Sequence, residues 1–577
     1  MKRISWKITA LVLSLGLLPW QLMAQQRTQS QALSVAKATF EEEAHRQVGA
    51  LTALRGNLLE LKLSQRVSNT AGRRQMPSFA TDDRQPFYIF NDEEKGGFVI
   101  VAGDERMGDI LGYSETGCMD LQRMPDALVA LLTQYAQAYA EASKSYVAPS
   151  QPSKVKWTYI APMIKTQWGQ DTPYNLRCPL SGGKQCIVGC GATAMAQIMN
   201  YYKYPEHGKG TMSYTTKTLS ISQSLNFENL VFQWDKMKKY YYSNDSDTEA
   251  CQAVAQLSHA CGVSIGMDYT PTASNSFTSD VPYALIQIFD YNPNINYRDR
   301  TYYSQNEWLE MLYNELSEKR PVLYRGADEN ETSGHLFVAD GCNARGLIHF
   351  NWGWYGNCDG FFNLSSMLPD TENPSMDYSY GHCMVTGIQP EEQGEHEDVF
   401  HVQRFTATKN GTRVDMLLEG CYCYVNTTTS VSQAIMFSGY IGVGLFDLKT
   451  NQVVDVPARF QASLPANYGW KQATLYFYPG ALSNQVGDGI YGMHPVVVNT
   501  EGEITPIHLA GGLRYPVYLK KEGTVLTVLD ELPSAIVAPQ AAKASDAQSI
   551  FSMDGRRVTT PRSGQIYVKQ GRKVLVR

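Results

Sequence analysis

The chain has 577 residues, which is too long for one hydrophobic core and predicts three or four domains. With 43% hydrophobic and 18% charged residues, it has the composition of a globular protein. Its net charge of −6 provides no basic field to replace phosphate counterions, which argues against a nucleic-acid partner.

The first 24 residues have the pattern of a secretory signal. A basic start containing Lys2, Arg3 and Lys7 precedes a short apolar run over residues 8–18, and Ala24 supplies a small residue before Gln25. The apolar run is too short to span a bilayer. We therefore predict a signal peptide over residues 1–24, a secreted protein that acts outside the cell or at its surface, and no transmembrane segment.

Helical and strand patterns alternate in the next part of the chain. Residues 25–65 carry helical spacing. Two strand-like runs at 87–90 and 98–102 flank a turn-rich segment and predict a hairpin. Helical spacing returns over 127–146, and the polar, proline-containing segment 147–156 is typical of an exposed linker.

Residues 156–390 predict one α+β domain, because helical segments come early and strands come late. The helical segments are 190–204, 251–260 and 306–316, and the strand segments are 335–340, 347–351 and 360–364. Pro205 ends the first of these helices.

Short strands broken by Gly, Asn and Pro fill residues 398–532, and their spacing predicts a β-sandwich. An Ala- and Pro-rich segment at 533–547 predicts a linker. The last part, 548–577, is basic and contains short strands separated by turns, which predicts a small β tail.

Cys190 stands at the predicted start of a helix. A thiol attacks only as the thiolate, and its free pKa lies near 8.5. The partial positive charge of a helix N-terminus lowers that pKa, and so does a neighbouring imidazolium. The small residues Gly189, Gly191 and Ala192 allow the tight turn into the helix, and His335 can supply the imidazole.

The remaining parts of a Cys-His-Asn site also occur in order. His335 follows Cys190 within the roughly 130–150 residues usual for papain-type enzymes, and Asn351 lies slightly beyond that range. Asn351 is predicted to hold His335 by a hydrogen bond, with Trp352 shielding that bond from water. The Cys190 N–H and the side chain of Gln170 are the predicted oxyanion donors.

Other residues could fill these roles. Cys186 is an alternative nucleophile, His349 and His382 are alternative bases, and Asp340 could orient His335 in place of Asn351. A zinc site built from Cys178, Cys186, Cys190 and His207 has none of the usual ligand spacings.

Several ordered motifs over about 157–390 resemble the streptopain family of papain-like cysteine peptidases. They are Trp168–Asn175, Val188–Ala194, Val263–Tyr269, Gly334–Gly341, Asn351–Trp354 and Asp359–Phe362. The resemblance implies a two-lobed papain-like fold in which Cys190 is the nucleophile and His335 the base. It also implies that Gln170 donates to the oxyanion, and that Asn351 with Trp352 orients the histidine.

The resemblance further implies an endopeptidase acting on proteins or peptides with broad specificity and a hydrophobic residue at P2. It assigns substrate contacts to Gly189, Tyr269 and Gly334, with the loop 268–276 as a wall of the P2 pocket. It implies no cofactor and no metal.

The upstream motifs Phe87–Asn91, Lys95–Asp104 and Ile110–Tyr113 resemble the inhibitory propeptide of the same family. This implies a zymogen in which an α+β propeptide at 25–155 inhibits its own enzyme and is released by cleavage within 147–156. The tail at 548–577 resembles type IX secretion sorting domains of Bacteroidota-like bacteria, which implies contact with a secretion machinery.

Two other functions use the same features. A Cys-His amidase or transglutaminase would use the same residues on a different substrate. A surface adhesin would bind partners through the β-sandwich and carry a degenerate enzyme, but the intact set of Gln170, Cys190, His335 and Asn351 argues against degeneracy.

Overall fold

The computed structural model describes most of the chain between residues 26 and 532 and four short strands beyond it. The described ranges are 26–46, 58–61, 85–92, 96–120, 123–144, 155–327, 334–365, 381–390, 399–424, 436–465, 469–532, 550–551, 557–558, 566–569 and 572–575. The predicted signal peptide, the linker at 533–547 and most of the linker at 147–156 lie outside the described residues.

The described helices are α1 (Gln29–Arg46), α2 (Asp126–Lys144), α3 (Cys190–Tyr202), α4 (Thr248–Ser264), α5 (Asp280–Tyr283) and α6 (Gln305–Ser317). The Asp247 side chain caps the first turn of α4, and Ser304 and Glu307 form a capping box at α6. In the parts of the chain with described structure, no helix has both the length and the apolar composition needed to cross a bilayer.

Within the described ranges, fourteen strands precede the β-sandwich. They are β1 (Leu58–Leu61), β2 (Phe87–Asp92), β3 (Phe98–Ala102), β4 (Ile110–Ser114), β5 (Leu180–Ser181), β6 (Lys184–Gln185), β7 (Thr211–Thr215), β8 (Ser222–Asn226), β9 (Asn296–Asp299), β10 (Val322–Ala327), β11 (Gly334–Cys342), β12 (Ile348–Asn351), β13 (Gly360–Phe362) and β14 (Cys383–Thr386).

Ten of these strands form one antiparallel sheet that runs through two regions of the chain. Its order is β1-β2-β3-β4-β13-β12-β11-β10-β14-β9. The junction is the pairing of β4 with β13, where Tyr113 lies opposite Phe361 and Gly112 opposite Phe362. The Tyr113 and Phe361 rings stack with centroids 5.0 Å apart. The region before residue 145 therefore continues the sheet of the region after residue 155.

Two large hydrophobic clusters pack on this sheet, besides a smaller one between the sheet and α1 that includes Ala36 and Phe90. One contains residues of α2, α6 and the strands of both regions, including Leu132, Trp308 and Phe350. The other contains the buried faces of α3 and α4, and it also reaches β11 through Leu336 and Val338. The start of α3 therefore lies at the seam between a helical lobe and a sheet lobe, which is where a cleft between two lobes can form.

The strands of the β-sandwich are β15 (Val399–Asn410), β16 (Arg413–Tyr424), β17 (Met436–Asp447), β18 (Val453–Pro465), β19 (Gly469–Phe477), β20 (Gly489–Asn499), β21 (Ile504–Pro506), β22 (His508–Leu509), β23 (Val517–Glu522) and β24 (Val525–Leu529). They form a four-stranded sheet, β19-β16-β15-β22, and a second sheet, β18-β17-β20-β23-β24, with β21 paired to β20. A single apolar cluster contains residues of both sheets. The predicted β-sandwich is confirmed.

The sandwich contacts the preceding region at residues 302–304. The ring centroids of Tyr302 and His401 are 4.2 Å apart, and those of Tyr303 and His508 are 4.6 Å apart. The tail forms a small sheet from β25 (Ile550–Phe551), β26 (Arg557–Val558), β27 (Ile566–Lys569) and β28 (Arg572–Leu575).

Most of the predicted elements are confirmed, including the hairpin of β2 and β3 and the helices α2, α3, α4 and α6. The helical prediction over 25–65 is wrong at its end, because residues 58–61 form the strand β1. β1 pairs with β2 over four residues. A sheet edge that offers backbone partners overrides weak local helical spacing.

We predict that Gly112→Val separates the first region from the sheet. A Cβ on Gly112 would lie 2.7 Å from the Phe362 ring and 3.2 Å from Ile100. Overpacking of this kind costs about 1–3 kcal/mol, which corresponds to a roughly 5- to 150-fold increase in local opening. Limited proteolysis within residues 85–144 should accelerate accordingly in a Cys190→Ala background.

The exposed residue Lys37 provides a control, and Lys37→Ala should leave the cleavage rate unchanged. An unchanged rate for Gly112→Val would show that the β4–β13 pairing does not hold the two regions together.

Candidate active site

Cys190 is the first residue of α3, and the backbone of Gly189 directs the chain into the helix. Gly189 has φ 90° and ψ 139°, a conformation that L-residues with a side chain rarely adopt. A Cβ at this position would also lie 2.6 Å from Met267. The Cys190 sulfur therefore lies at a helix N-terminus, where the unpaired N–H groups favour a negative charge.

His335 is the second residue of β11, the strand that packs against α3. His335 and Cys190 are close enough for each side chain to shift the pKa of the other. His335 is buried, while Cys190 is partly exposed. His335 Nε2 lies 3.3 Å from the carbonyl oxygen of Trp352, which leaves Nδ1 to face the thiol. The structure thus brings the predicted nucleophile and base together.

The two side chains favour each other's charged forms. Burial by itself would raise the pKa of Cys190, but the charge and hydrogen bond of His335, with backbone hydrogen bonds from Leu336 and Gly191, bring that pKa below its ordinary value. Burial lowers the pKa of His335, but the Cys190 charge and hydrogen bond outweigh it, so the net shift is upward. The carboxylate of Asp126, at the start of α2, adds to this rise. The pair is therefore suited to a thiolate–imidazolium state.

The prediction that Asn351 bonds directly to His335 is wrong. Asn351 Oδ1 accepts hydrogen bonds from Gln197 Nε2 at 2.9 Å and from the Gly353 N–H at 3.0 Å, and Nδ2 donates to the Thr166 carbonyl at 2.8 Å. The Gly353 N–H belongs to the same peptide group as the Trp352 carbonyl that meets His335. Asn351 therefore fixes the orientation of that peptide rather than of the imidazole itself.

The side chain of Trp352 does not shield the histidine as predicted. Its indole is fully buried in the core, with its ring centroid 4.6 Å from that of Phe337 and 5.2 Å from that of Phe362. Instead, the half-buried ring of Trp354 lies beside His335, with centroids 6.3 Å apart. The repeated Trp in Asn351–Trp354 was the sequence signal for this second aromatic residue.

Gln170 is positioned beside the nucleophile. Its carbonyl accepts a hydrogen bond of 3.0 Å from the Val188 N–H, two residues before Cys190. The side chain is largely buried, and among the described residues its amide makes no hydrogen bond. Gln197, which sequence reasoning missed, lies two turns along α3 from Cys190 and links Thr166 to Asn351.

The three predicted substrate contacts have different surroundings. Gly189 precedes the nucleophile, and Gly334 is exposed directly beside His335. Tyr269 is fully buried against His259, so the prediction that it lines a substrate pocket is wrong. Another part of its loop does reach the site, because a Cβ on Gly191 would lie 3.0 Å from Ser276 Oγ.

The alternative residues lie elsewhere. Asp340 hydrogen-bonds to His349 Nδ1 at 2.6 Å, and His382 Nδ1 lies 2.9 Å from the Tyr324 hydroxyl, so these side chains are engaged away from Cys190. Burial raises the pKa of Cys186, which does not favour a nucleophile there. No cluster of three or more metal-ligating side chains occurs among the residues that the structure describes.

The first region of the chain contacts the site region through α2. Gln134 Nε2 donates to the Ala327 carbonyl at 3.0 Å, and Gln134 Oε1 lies 3.1 Å from His382 Nε2. The Asp126 carboxylate also raises the pKa of His335, so α2 lies along the sheet lobe within electrostatic range of that histidine.

Comparison with known families gives two matches. A model described as the peptidase C10 family matches residues 168–362, and one described as Spi protease inhibitor matches residues 24–139.

Two individual proteins are similar to this chain over about half of its length. Streptopain of Streptococcus pyogenes is 31% identical over 327 residues, covering 52% of this chain and 80% of that protein. The thiol protease/hemagglutinin PrtT of Porphyromonas gingivalis is 32% identical over 344 residues, covering 56% of this chain. The match spans only 39% of the length of PrtT.

Two solved structures from Prevotella intermedia are also similar. A prointerpain A fragment has 28% identity and a TM-score of 0.48, covering 53% of this chain and 96% of that chain. Active interpain A cysteine protease has 31% identity and a TM-score of 0.35, covering 39% of this chain and 94% of that chain.

We predict that Cys190 reacts with iodoacetamide at pH values where an ordinary thiol is protonated. The thiolate–imidazolium pair persists between the lowered pKa of Cys190 and the raised pKa of His335. His335→Ala removes the imidazole, which is the largest influence lowering the thiol pKa, so the alkylation profile should move to higher pH. The rate at each pH is measured by mass spectrometry of the peptide containing Cys190.

His349→Ala is the matched control, because this half-buried histidine bonds to Asp340 instead of the thiol. Identical alkylation profiles for wild type and His335→Ala would contradict the ion pair.

Proposed function

The chain belongs to the peptidase C10 family of cysteine proteases, and on that premise we propose that it is a secreted cysteine endopeptidase made as a zymogen, with Cys190 as nucleophile and His335 as general base. The observation that carries the proposal is the Cys190–His335 pair at a helix N-terminus, in which His335 brings the pKa of the thiol below its ordinary value. Such a thiol is a nucleophile at neutral pH.

The reaction begins when His335 holds the proton of Cys190 and the thiolate attacks the carbonyl carbon of the scissile peptide bond. The tetrahedral intermediate collapses as the imidazolium of His335 gives its proton to the leaving amine, which leaves a thioester on Cys190. His335 then takes a proton from water, the hydroxide attacks the thioester, and the acid product leaves with the thiol restored.

The Cys190 N–H and the Gln170 side chain are the proposed oxyanion donors. The free amide of Gln170 supports this role, because a donor without another partner can bond to an oxyanion without first breaking a contact. The Trp352 carbonyl, held through Asn351, supports the imidazole on its other side. A fixed ring keeps one nitrogen directed at the sulfur during both proton transfers.

We propose broad specificity with a hydrophobic P2 residue. The exposed backbone of Gly334 beside His335 and the loop containing Ser276 beside Gly191 support a cleft that binds an extended peptide. Gly189 forms the bend before the nucleophile, so substrate backbone can approach Cys190 closely.

The inhibitor-type region matched over residues 24–139 makes the full chain a zymogen. We propose that the propeptide comprises residues 25–155, that cleavage within 147–156 starts its release, and that the protease domain comprises 156–390. The Asp126 carboxylate, which raises the pKa of His335, and the shared sheet support a propeptide that packs against the protease domain beside the active site.

Export by the signal peptide 1–24 and sorting through the tail 548–577 complete the proposal. The tail would contact the secretion machinery, while the β-sandwich at 398–532 would be carried with the protease domain. The relatives named thiol protease and streptopain support the protease part of this proposal.

We predict that the wild-type chain cleaves itself near 147–156, and that Cys190→Ala accumulates at the size of the precursor. The nucleophile is absent in the variant, so no thioester can form. Denaturing gels with N-terminal sequencing of the products measure the processing. Equal processing of the two chains in a purified system would contradict self-maturation.

We predict that the mature wild-type protein releases new α-amino groups from casein. Gln170→Ala should lower kcat about 10²- to 10³-fold with little change in KM, since the lost hydrogen bond forms mainly in the transition state. Cys190→Ala, matured by added wild-type enzyme that is then removed, is the inactive control. Ammonia release without chain cleavage would instead indicate an amidase or transglutaminase.

A further inference from the structure

Three titratable side chains near one another, Asp340, His349 and Asp359, have no part in the proposed reaction. Asp340 on β11 bonds to His349 on β12, and Asp359 stands directly before β13 with both of these groups in its electrostatic surroundings. Asp340 also accepts a hydrogen bond of 2.7 Å from the Ile164 N–H, so its contacts hold the N-terminal segment of the protease region. Of these three side chains, Asp359 is the one that bonds to Trp352, whose carbonyl lies beside His335.

Asp359 Oδ1 accepts a hydrogen bond of 2.9 Å from the Trp352 backbone N–H. The residue before it, Cys358, accepts a second bond of 2.9 Å through its carbonyl from the Trp352 indole N–H. Two adjacent residues therefore bind both N–H groups of Trp352, one on the main chain and one on the ring.

The Trp352 N–H and carbonyl flank the same Cα. Asp359 restrains the peptide group on the N-terminal side, while Asn351 restrains the following peptide group through the Gly353 N–H. The Trp352 carbonyl lies 3.3 Å from His335 Nε2, which is already at the long end for a hydrogen bond. A small rotation of this backbone would therefore cost the contact that holds the imidazole.

We propose that Asp359 is a positioning residue for His335, and that it acts by fixing the Trp352 main chain so that its carbonyl meets the imidazole. This inference rests on the proposed peptidase function and names one further residue on which that function depends. Asp359 touches neither the substrate nor the thiol, so its effect passes through the Trp352 backbone.

Asp359 could act on the Trp352 backbone through its hydrogen bond or through its charge, and two variants distinguish these roles. Burial raises the pKa of Asp359 to about 7, while the bond from Trp352 and the charge of His349 oppose that rise. Asp340 raises it further. Asp359→Asn keeps an oxygen that can accept from the Trp352 N–H and removes the charge, whereas Asp359→Ala removes both.

The test measures casein hydrolysis and the alkylation of Cys190 in mature enzyme prepared from the full chain by added wild-type protease. For Asp359→Ala we expect kcat to fall about 10- to 100-fold with KM changed less than about threefold, since a misplaced catalytic group lowers the rate of the chemical step. Its Cys190 alkylation profile should also move toward higher pH. Asp359→Asn should keep kcat within about threefold of wild type, because the acceptor remains.

Asp340→Ala is the matched control, since it also removes a carboxylate that accepts from a backbone N–H. It should lower thermal stability but leave the alkylation profile in place. A wild-type alkylation profile for Asp359→Ala, or a loss in Asp359→Asn as large as in Asp359→Ala, would overturn the inference. If Asp359→Ala does not fold, the test rests on Asp359→Asn. The inference still requires that Asp359→Asn keep the wild-type kcat and alkylation profile, and it is overturned if Asp359→Asn loses either.

Cys190→Ala, measured in the same assay, distinguishes a failure of the Asp359 inference from a failure of the proposed peptidase function. If Cys190→Ala is inactive and Asp359→Ala is unaffected, only the role of Asp359 fails. If Cys190→Ala remains active, the proposed peptidase mechanism itself fails.

Discussion

The contact between the Trp352 carbonyl and His335 is the constraint on which the site depends. A thiolate beside an imidazolium is stable only while the ring is held at the sulfur, and the ring has only one other nitrogen by which it can be held. Here a backbone carbonyl meets that nitrogen. Asn351 binds the same peptide group, and the side chains of Gln197 and Thr166 continue the network to α3 and the preceding loop. The nucleophile and the residues that orient its base are thus tied to the same helix.

The second organising feature is the sheet shared by the inhibitor-type region and the protease region. The Gly112–Tyr113 edge of β4 pairs with β13, which begins immediately after Asp359. Residues from both regions also form one apolar cluster. Cleavage of the connecting chain alone would leave this core and these backbone bonds in place, so release of the propeptide must expose a sheet edge and the face beneath α2. Inhibition and stability of the precursor are therefore properties of the same packing.

The sequence was sufficient for the main elements and for the pairing of Cys190 with His335, because helix and strand periodicities are strong there and the order of motifs is specific. It was not sufficient for contacts made by the backbone. Asn351 was assigned to the imidazole since side-chain types suggest side-chain partners, whereas the bond to His335 comes from a carbonyl that every residue carries. Tyr269 was assigned to a pocket from its loop, but loop position does not reveal which side chains turn inward. The strand β1 was missed because its partner, β2, lies far along the chain.

The most direct test of the account is covalent labelling of the mature enzyme with an epoxide that reacts with activated thiols. The account predicts one adduct, on Cys190, and a loss of casein hydrolysis in proportion to the labelled fraction, because the thiolate paired with His335 is both the reactive sulfur and the catalytic one. Peptide mapping by mass spectrometry and the residual rate on the same samples measure both quantities. Full labelling of Cys190 with activity retained, or activity lost through an adduct on another cysteine, would contradict it.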